Sequence, residues 1–478
     1  MSSEPLRASS PTAATVLLEH AQRIAARFLE TVPTRHVGSR SSRAELLAAL
    51  GGPLPLDGRD AELVIDELAR RADPGLVAQA GPRYFGFVTG GALPVTVAAD
   101  WLASAWDQNA VVYVHAPAVA VMEDIVASWI LELLDLPRTS SVGFTSGCHM
   151  ANFTGLAAAR HEVLRRAGWN IEARGMCSAP PILVIVGGDV HVSVLGALRY
   201  LGFGSEQIQR IPVDDRGRMR ADALRERLRT ADGATIICAQ VGHVATGASD
   251  PIDQIVDMGH EHGAWVHVDG AFGLWANVVP ALRDPIRGIE RADSWATDAH
   301  KWLNVPYDSG LAIVRHSAAH RAAMSFQAAY LQRGSEEERV GMDWVPESSR
   351  RARVIPIYAL IRTLGRTGIV EMVRGHVALA RRMADRLSVV PGITILNEIV
   401  LNQVLVQFDD PAGGDADALT REVIAAIQAE GTCWAGGTVW QGKHALRVSI
   451  SNWSTTEDDI DQSAAAIIKC YITARANR

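Results

Sequence analysis

The sequence has little of what holds a small extracellular module together. Its five cysteines among 478 residues (Cys148, Cys177, Cys238, Cys433, Cys470) are widely spaced and form no CxxC pair. That argues against a disulfide framework or a cysteine-based metal site and fits a reducing cytoplasm. No apolar run approaches the roughly 20 residues of a membrane-spanning helix. Met1–Pro11 lacks the apolar core of a signal peptide. Positive charge is not in excess either: 46 Lys and Arg against 53 Asp and Glu give −7. Electrostatic capture of nucleic acid or of an anionic membrane is therefore not expected. Internal repeats and low-complexity segments are absent. What remains is ordinary globular composition, 48% apolar and 21% charged. The length suits two or three domains of about 100–200 residues, with small molecules as expected partners.

Periodicity divides the chain. Residues 12–31 carry apolar positions at helical spacing and read as an N-terminal arm. A Pro- and Gly-bearing stretch at 51–58 separates it from a helix at 60–72. After the glycine-rich segment GPRYFGFVTGGALP, which starts at Gly81, apolar helices are predicted at about 94–106 and 117–136. Short β-rich runs follow: PILVIV (181–186), ATIICAQV (234–241) and AWVHVD (264–269), separated by helical periods at 219–230 and 251–262. Strands alternating with helices at this pitch predict an α/β fold whose parallel sheet is covered on both faces. The carboxyl ends of such strands form a ligand crevice. Beyond Arg350 the order is two helices, a strand at 402–408, a helix at 417–430, a strand at 445–451 and a last helix at about 456–474. The expected division is a helical arm over 1–90, a large domain over 91–350 and a small α+β domain over 351–478.

Four features carry chemistry. Asp269 ends the apolar strand of HVDGAFG (267–273), where an unpaired buried carboxylate is costly. An Asp at that point also serves as a helix cap. Lys301, in DAHKW (298–302), follows a predicted strand at 292–297. Desolvation there would free its amine for a Schiff base, although a lone lysine equally reads as a solvated charge. GFTSGCHMAN (143–152) is a small-residue turn opening a helix, so its amides and Ser146 suit a phosphate. His191, in GGDVHVSV, reads either as a ring stacking on a heteroaromatic or as a core or capping histidine. Together, a phosphate cup, a stacking imidazole, a carboxylate for a ring nitrogen and a Schiff-base lysine describe a pyridoxal 5'-phosphate site.

The motifs TSG…MAN, DVHVS, VHVDGAFG and DAHKWLNVPYD resemble the group II pyridoxal-phosphate-dependent amino-acid decarboxylases, the family of the aromatic-L-amino-acid, histidine and glutamate decarboxylases. The resemblance runs from about Pro82 to the C-terminus and includes GFVTGG (86–91), APAVAVMED (116–124), VPESSRRAR (345–353), NQVLV (402–406) and LRVSISN (446–452). It implies an aspartate-aminotransferase-like fold (fold type I) with a mostly parallel seven-stranded sheet. It also implies a homodimer with shared active sites and an arm that crosses the interface. By this resemblance Lys301 carries the cofactor, Asp269 partners its ring nitrogen and stabilises the quinonoid, His191 stacks on the ring and Ala271 packs on its other face. Ser146, Gly147, Cys148 and His300 would surround the phosphate, Asp298 belongs to the same shell, and Thr246 would lie close to the ring. Tyr84, Phe87, Tyr113 and His115 fall in segments that line the substrate pocket, suiting an aromatic or otherwise bulky side chain. Arg447 stands on a strand where fold relatives carry a carboxylate-binding arginine.

The sequence departs from the family at three places. His149 replaces a Ser or Thr near the phosphate, and His243 replaces a Thr or Asn. The stretch QRGSEEERVGMDW (332–344) lacks the tyrosine that protonates the carbanion in these enzymes, and Tyr330 precedes it. His115 and His149 are alternative proton donors. The expected reaction is decarboxylation of an L-amino acid or amino-acid conjugate. The missing tyrosine keeps open an aldehyde-forming oxidative deaminase coupled to decarboxylation, or a carbon–sulfur β-lyase. No metal is expected.

Overall fold

A computed structural model describes residues 11–326 and 338–478, with side chains from position 14 onward. Seven strands form the main sheet: β1 (Ser141–Thr145), β2 (Ile182–Gly187), β3 (Ile208–Ile211), β4 (Ala234–Gln240), β5 (Trp265–Asp269), β6 (Ser294–Asp298) and β7 (Gly310–Val314). Their spatial order is β1-β7-β6-β5-β4-β2-β3. Pairing is parallel from β3 through β6, and β7 runs antiparallel to both of its neighbours. Every residue of β5, β6 and β7 is buried, as expected of a sheet with helices on both faces. Trp265, Trp295 and the neighbouring Trp302 are fully buried here.

A second sheet, with strands β8 (Ile393–Ile395), β9 (Gln403–Phe408), β10 (Gly436–Trp440) and β11 (Lys443–Ser449), has the order β10-β11-β9-β8. It packs with helices Ala416–Glu430 and Glu457–Ala476 around Val404, Val406, Leu446, Val448, Ile460 and Ile467. The two helices expected after Arg350 occupy Val354–Ser388 and are parted at Gly365, whose φ of 58° places it in the left-handed region. Residues 354–377 of that run join the large core and residues 380–387 the small one.

Ahead of the main sheet lie helices Pro11–Thr31, Arg43–Leu50, Ala61–Ala72, Pro94–Trp106 and Pro117–Leu133. The second was not anticipated, although Ser42 and Glu45 close a reciprocal cap at its start. Strands β1, β3, β7, β8 and β10, each three to five residues long, also went unpredicted.

One buried ion cluster ties this layer to the chain just before Val354. Glu123 accepts from Arg350 at 2.6 and 2.8 Å and from Arg339 at 2.8 Å. The side chains of Glu123 and Arg350 are each 1% exposed. Removing the carboxylate leaves the buried Arg350 guanidinium uncompensated, while Arg339 keeps Asp124 at 3.2 Å, so Glu123→Ala is expected to cost about 3–5 kcal/mol of stability. Urea unfolding of the variant measures this, and an unchanged midpoint would contradict it.

Candidate active site

Parallel strands deliver their carboxyl ends to one edge of the sheet, and the site is built there. Thr145 ends β1 and leads through Ser146 and Gly147 into helix Cys148–Arg166, Asp269 ends β5, and Asp298 ends β6. A Cβ on Gly310, at the start of β7, would lie 2.5 Å from the Gly147 backbone, so only glycine lets the two segments approach this closely.

Asp298 gathers three donors. The Cys148 N–H lies 2.5 Å from Oδ1, Lys301 Nζ 3.1 Å from Oδ2, and His300 Nε2 3.3 Å from Oδ1. Ser309 donates its backbone N–H to His300 Nδ1 at 3.2 Å, which puts the imidazole proton on Nε2, toward Asp298. The structure corrects one expectation for Lys301. Burial by itself lowers the ammonium pKa, but the carboxylates of Asp298 and Asp269 outweigh it and raise the pKa above the ordinary 10.5. Without the cofactor the side chain is therefore a held ammonium.

Asp269 is surrounded differently. Its carboxylate accepts from the Ala271 N–H at 3.1 Å, the Asn152 amide at 3.3 Å and the Cys148 thiol at 3.4 Å. Burial and the two carboxylates push the Cys148 pKa well up, so the thiol keeps its proton. Among the described residues no basic nitrogen lies within 4.0 Å of Asp269. A buried carboxylate held only by neutral donors suits a cationic ring N–H approaching from the cleft, as a pyridinium requires.

His191 and His243 stand on the neighbouring wall. His191 Nδ1 lies 2.7 Å from Ser193 Oγ and accepts the Ser193 N–H at 3.2 Å. Burial holds its pKa below the usual value, leaving a neutral ring facing the charges of Asp269 and Lys301. His243 accepts the backbone N–H groups of Ala245 and Thr246 at 3.1 and 3.3 Å. Burial, helped by Arg447 and His191, pushes its pKa down to about 4. It fastens its own loop and packs against Trp440, 5.1 Å between ring centroids. Arg447, on β11, is half-buried, and desolvation lowers its pKa. Among the described residues it has no carboxylate partner.

Several expected residues are not brought to this cluster. The Thr246 hydroxyl donates to the Arg216 carbonyl at 2.9 Å and accepts from the Ala248 N–H at 3.2 Å, so it serves its own loop. It lines a separate cavity of about 640 Å³ with Arg216, Asn397 and Leu401. His149 is exposed and stacks on Tyr200 at 5.4 Å. Tyr113 and His115 form a short turn, Tyr113 half-buried and His115 exposed. Tyr84 and Phe87 both stack on Trp434, at 5.1 and 5.6 Å. Burial, with Tyr307 nearby, pushes the Tyr84 pKa up to about 12, so its phenol stays protonated. Tyr330 and positions 332–337 of the tyrosine-free stretch lie outside the described residues.

Asn152, Asn304 and Trp434 went unnoticed in the sequence as contributors. Asn304, with φ of 57°, accepts from the Gly91 and Trp453 N–H groups at 2.7 and 2.9 Å and donates to the Ser451 carbonyl at 2.9 Å. It thus clamps the turn after Lys301 to two distant segments. Its place in HKWLN was visible, but not its left-handed backbone.

Residues 48–409 match the family model described as the pyridoxal-dependent decarboxylase conserved domain. The chain belongs to this family. As a pyridoxal-dependent decarboxylase it is a carboxy-lyase that uses pyridoxal phosphate in amino-acid metabolism. It is 28% identical over 450 residues to tryptophan decarboxylase 1 of Oryza sativa subsp. japonica, covering 87% of this chain and 85% of that protein. It is 24% identical over 452 residues to 4-hydroxyphenylacetaldehyde synthase of Rhodiola rosea, covering 91% and 90%. A crystal structure of Oryza sativa TDC with PLP and tryptamine matches it with a TM-score of 0.91 at 24% identity, over 99% of both chains. The decarboxylase fold is thus the fold type I expected from the motifs.

Asp298 is the nearest charge to Lys301, and its removal has a predictable sign. In Asp298→Asn the burial that lowers the lysine pKa loses its main opponent. The lysine is then expected to titrate at lower pH than in the native protein. Reductive methylation of the cofactor-free protein across pH, read by mass spectrometry, measures this; an unchanged titration would contradict it.

Proposed function

We propose that this decarboxylase removes the α-carboxylate of an L-amino acid with an aromatic or similarly bulky side chain and releases the amine. The observation that carries the reading is the pair Lys301 and Asp269 at the ends of adjacent strands, one a held ammonium and the other a carboxylate open to a cationic partner. When bound, the cofactor supplies an electron sink for the bond broken at Cα. Lys301 would hold it, Asp269 would face its ring nitrogen, and His191 and Ala271 would lie against the ring. The turn Ser146–Gly147–Cys148, with His300, would take the phosphate.

The rest falls to this chain's own groups. Asp298 holds Lys301 and anchors the Cys148 amide, which fixes the helix end against the lysine turn. Arg447, half-buried and without a carboxylate partner among the described residues, offers an anion site beside His191 and His243. Tyr84, Phe87 and Trp434 supply an aromatic wall. The relative named tryptophan decarboxylase supports an aromatic substrate. We also propose a homodimer, to which exposed Trp101 and Trp106 contribute apolar surface and in which Tyr113 and His115 reach the partner's site. Among the described residues no helix is long and apolar enough to cross a membrane. The five unpaired cysteines support a cytoplasmic setting.

A second reading is favoured by the tyrosine-free stretch 332–344 and by the relative named 4-hydroxyphenylacetaldehyde synthase. It is conversion of the amino acid to an aldehyde, with one molecular oxygen and one water consumed and ammonia, hydrogen peroxide and carbon dioxide released. The purified protein should be yellow, lose that absorbance on borohydride reduction, and fail to acquire it as Lys301→Ala. Incubation with L-amino acids and S-conjugated cysteines separates the chemistries. Amine with carbon dioxide supports decarboxylation, aldehyde with ammonia and peroxide supports the second reading, and pyruvate would overturn both.

A further inference from the structure

Behind the site runs a buried hydrogen-bond chain whose direction is fixed by chemistry. Trp265, His267 and Asp269 alternate along β5 and point to one face of the sheet. Trp265 Nε1 lies 2.8 Å from Ser294 Oγ, which lies 2.8 Å from His267 Nδ1. His267 Nε2 lies 2.9 Å from Asn152 Oδ1, and Asn152 Nδ2 lies 3.3 Å from Asp269 Oδ2. An indole N–H can only donate. Ser294 therefore accepts from Trp265. At the other end the Asp269 carboxylate can only accept, so Asn152 turns its nitrogen to Asp269 and its oxygen to His267 Nε2. Nε2 must then carry the imidazole hydrogen, and Nδ1 accepts the Ser294 hydroxyl proton. Burial pushes the His267 pKa down to about 4, which agrees with a neutral ring.

The chain forks at its last link. Asn152 Nδ2 also lies 3.3 Å from Ser193 Oγ, whose hydroxyl is 2.7 Å from His191 Nδ1. Since Ser193 also donates its backbone N–H to that nitrogen, His191 Nδ1 is an acceptor and the hydroxyl donates to it. One amide thus touches Asp269 directly and His191 through a single hydroxyl.

We propose that Asn152, oriented by the Trp265–Ser294–His267 chain, is a positioning residue that keeps the cofactor's ring nitrogen protonated by fixing Asp269 and His191 together. This rests on the cofactor reading above. An ionised carboxylate has about four lone-pair sites. The Ala271 N–H, the Cys148 thiol and the Asn152 amide occupy three, leaving one on Oδ2 for the ring. Every occupant donates, so Asp269 presents one open acceptor, and only a protonated ring nitrogen can donate to it. An amide does not pass protons on, so the chain orients and polarises Asp269 without draining its charge.

Packing leaves this chain little freedom. Asn152, His267 and Ser294 are fully buried. One turn beyond Asn152, a Cβ on Gly155 would stand 2.9 Å from His267 Cε1, so the helix seats on the imidazole only because that residue is glycine.

The test uses protein loaded with pyridoxal phosphate carrying 15N in its ring. The ring-nitrogen shift, followed by NMR against pH, reports protonation independently of turnover. Asn152→Leu and His267→Phe should lose the ring proton at a pH lower than wild type by about one unit or more, a tenfold change in proton affinity. His267→Gln, whose amide nitrogen can stand near the Nε2 position, should recover most of that loss. Ser294→Ala, which removes only a hydroxyl, should move the midpoint in the same direction by less, and it keeps the test available if His267→Phe does not fold. Midpoints equal to wild type in cofactor-bearing Asn152→Leu and Ser294→Ala would overturn the proposal. A wild type that binds no cofactor would overturn the reading beneath it, which is a separate result.

Discussion

Two carboxylates buried at the ends of adjacent strands, with one ammonium between segments that pack on both, form the constraint on which the site depends. Burying charge is expensive, and each carboxylate is reconciled with burial differently. Asp298 has a full set of partners, including the charge of Lys301. Asp269 has neutral donors only. The difference follows from geometry, because β6 leads straight into the lysine turn while β5 leads into a backbone loop that returns its own Ala271 N–H. The parallel sheet supplies the edge where both can occur, and the reversal at β7 brings Gly310 against Gly147 so that the helix start closes over them.

Around this pair, histidines act as neutral connectors. His267, His320 and His376 are buried and held below their usual pKa by burial, and each bridges two polar groups. His376 is the clearest: it accepts from Trp302 at 2.8 Å and donates to the Asn452 carbonyl at 3.0 Å, tying the residue after Lys301 to the chain following β11. A neutral imidazole offers one donor and one acceptor on a rigid ring, and it satisfies buried partners without adding charge to a crowded electrostatic site.

Much of this was legible in the sequence. The alternation of apolar runs gave the parallel sheet, and HVDGAFG and DAHKW placed Asp269 and Lys301 at its edge, because strand-end position follows from local pattern. Second-layer contacts were not legible. Asn152 and His267 lie 115 positions apart, and no local period links them. Lys301 was expected to be desolvated; Asp298, three residues earlier, reversed the sign, since burial and a nearby carboxylate compete and only distance decides between them. Thr246 was assigned by motif to the ring, whereas the loop folds its hydroxyl back onto Arg216. The short strands β1, β3 and β7 escaped notice because they are defined by their neighbours more than by their own residues.

The clamp at Asn304 bears on how the protein can be divided. The lysine turn is fastened through one side chain to Gly91 near one end of the chain and to Ser451 and Trp453 near the other. The placement of the Lys301 turn thus depends on segments from both flanks of the central sheet. Shortening either flank therefore reaches the lysine turn through a single amide, that of Asn304.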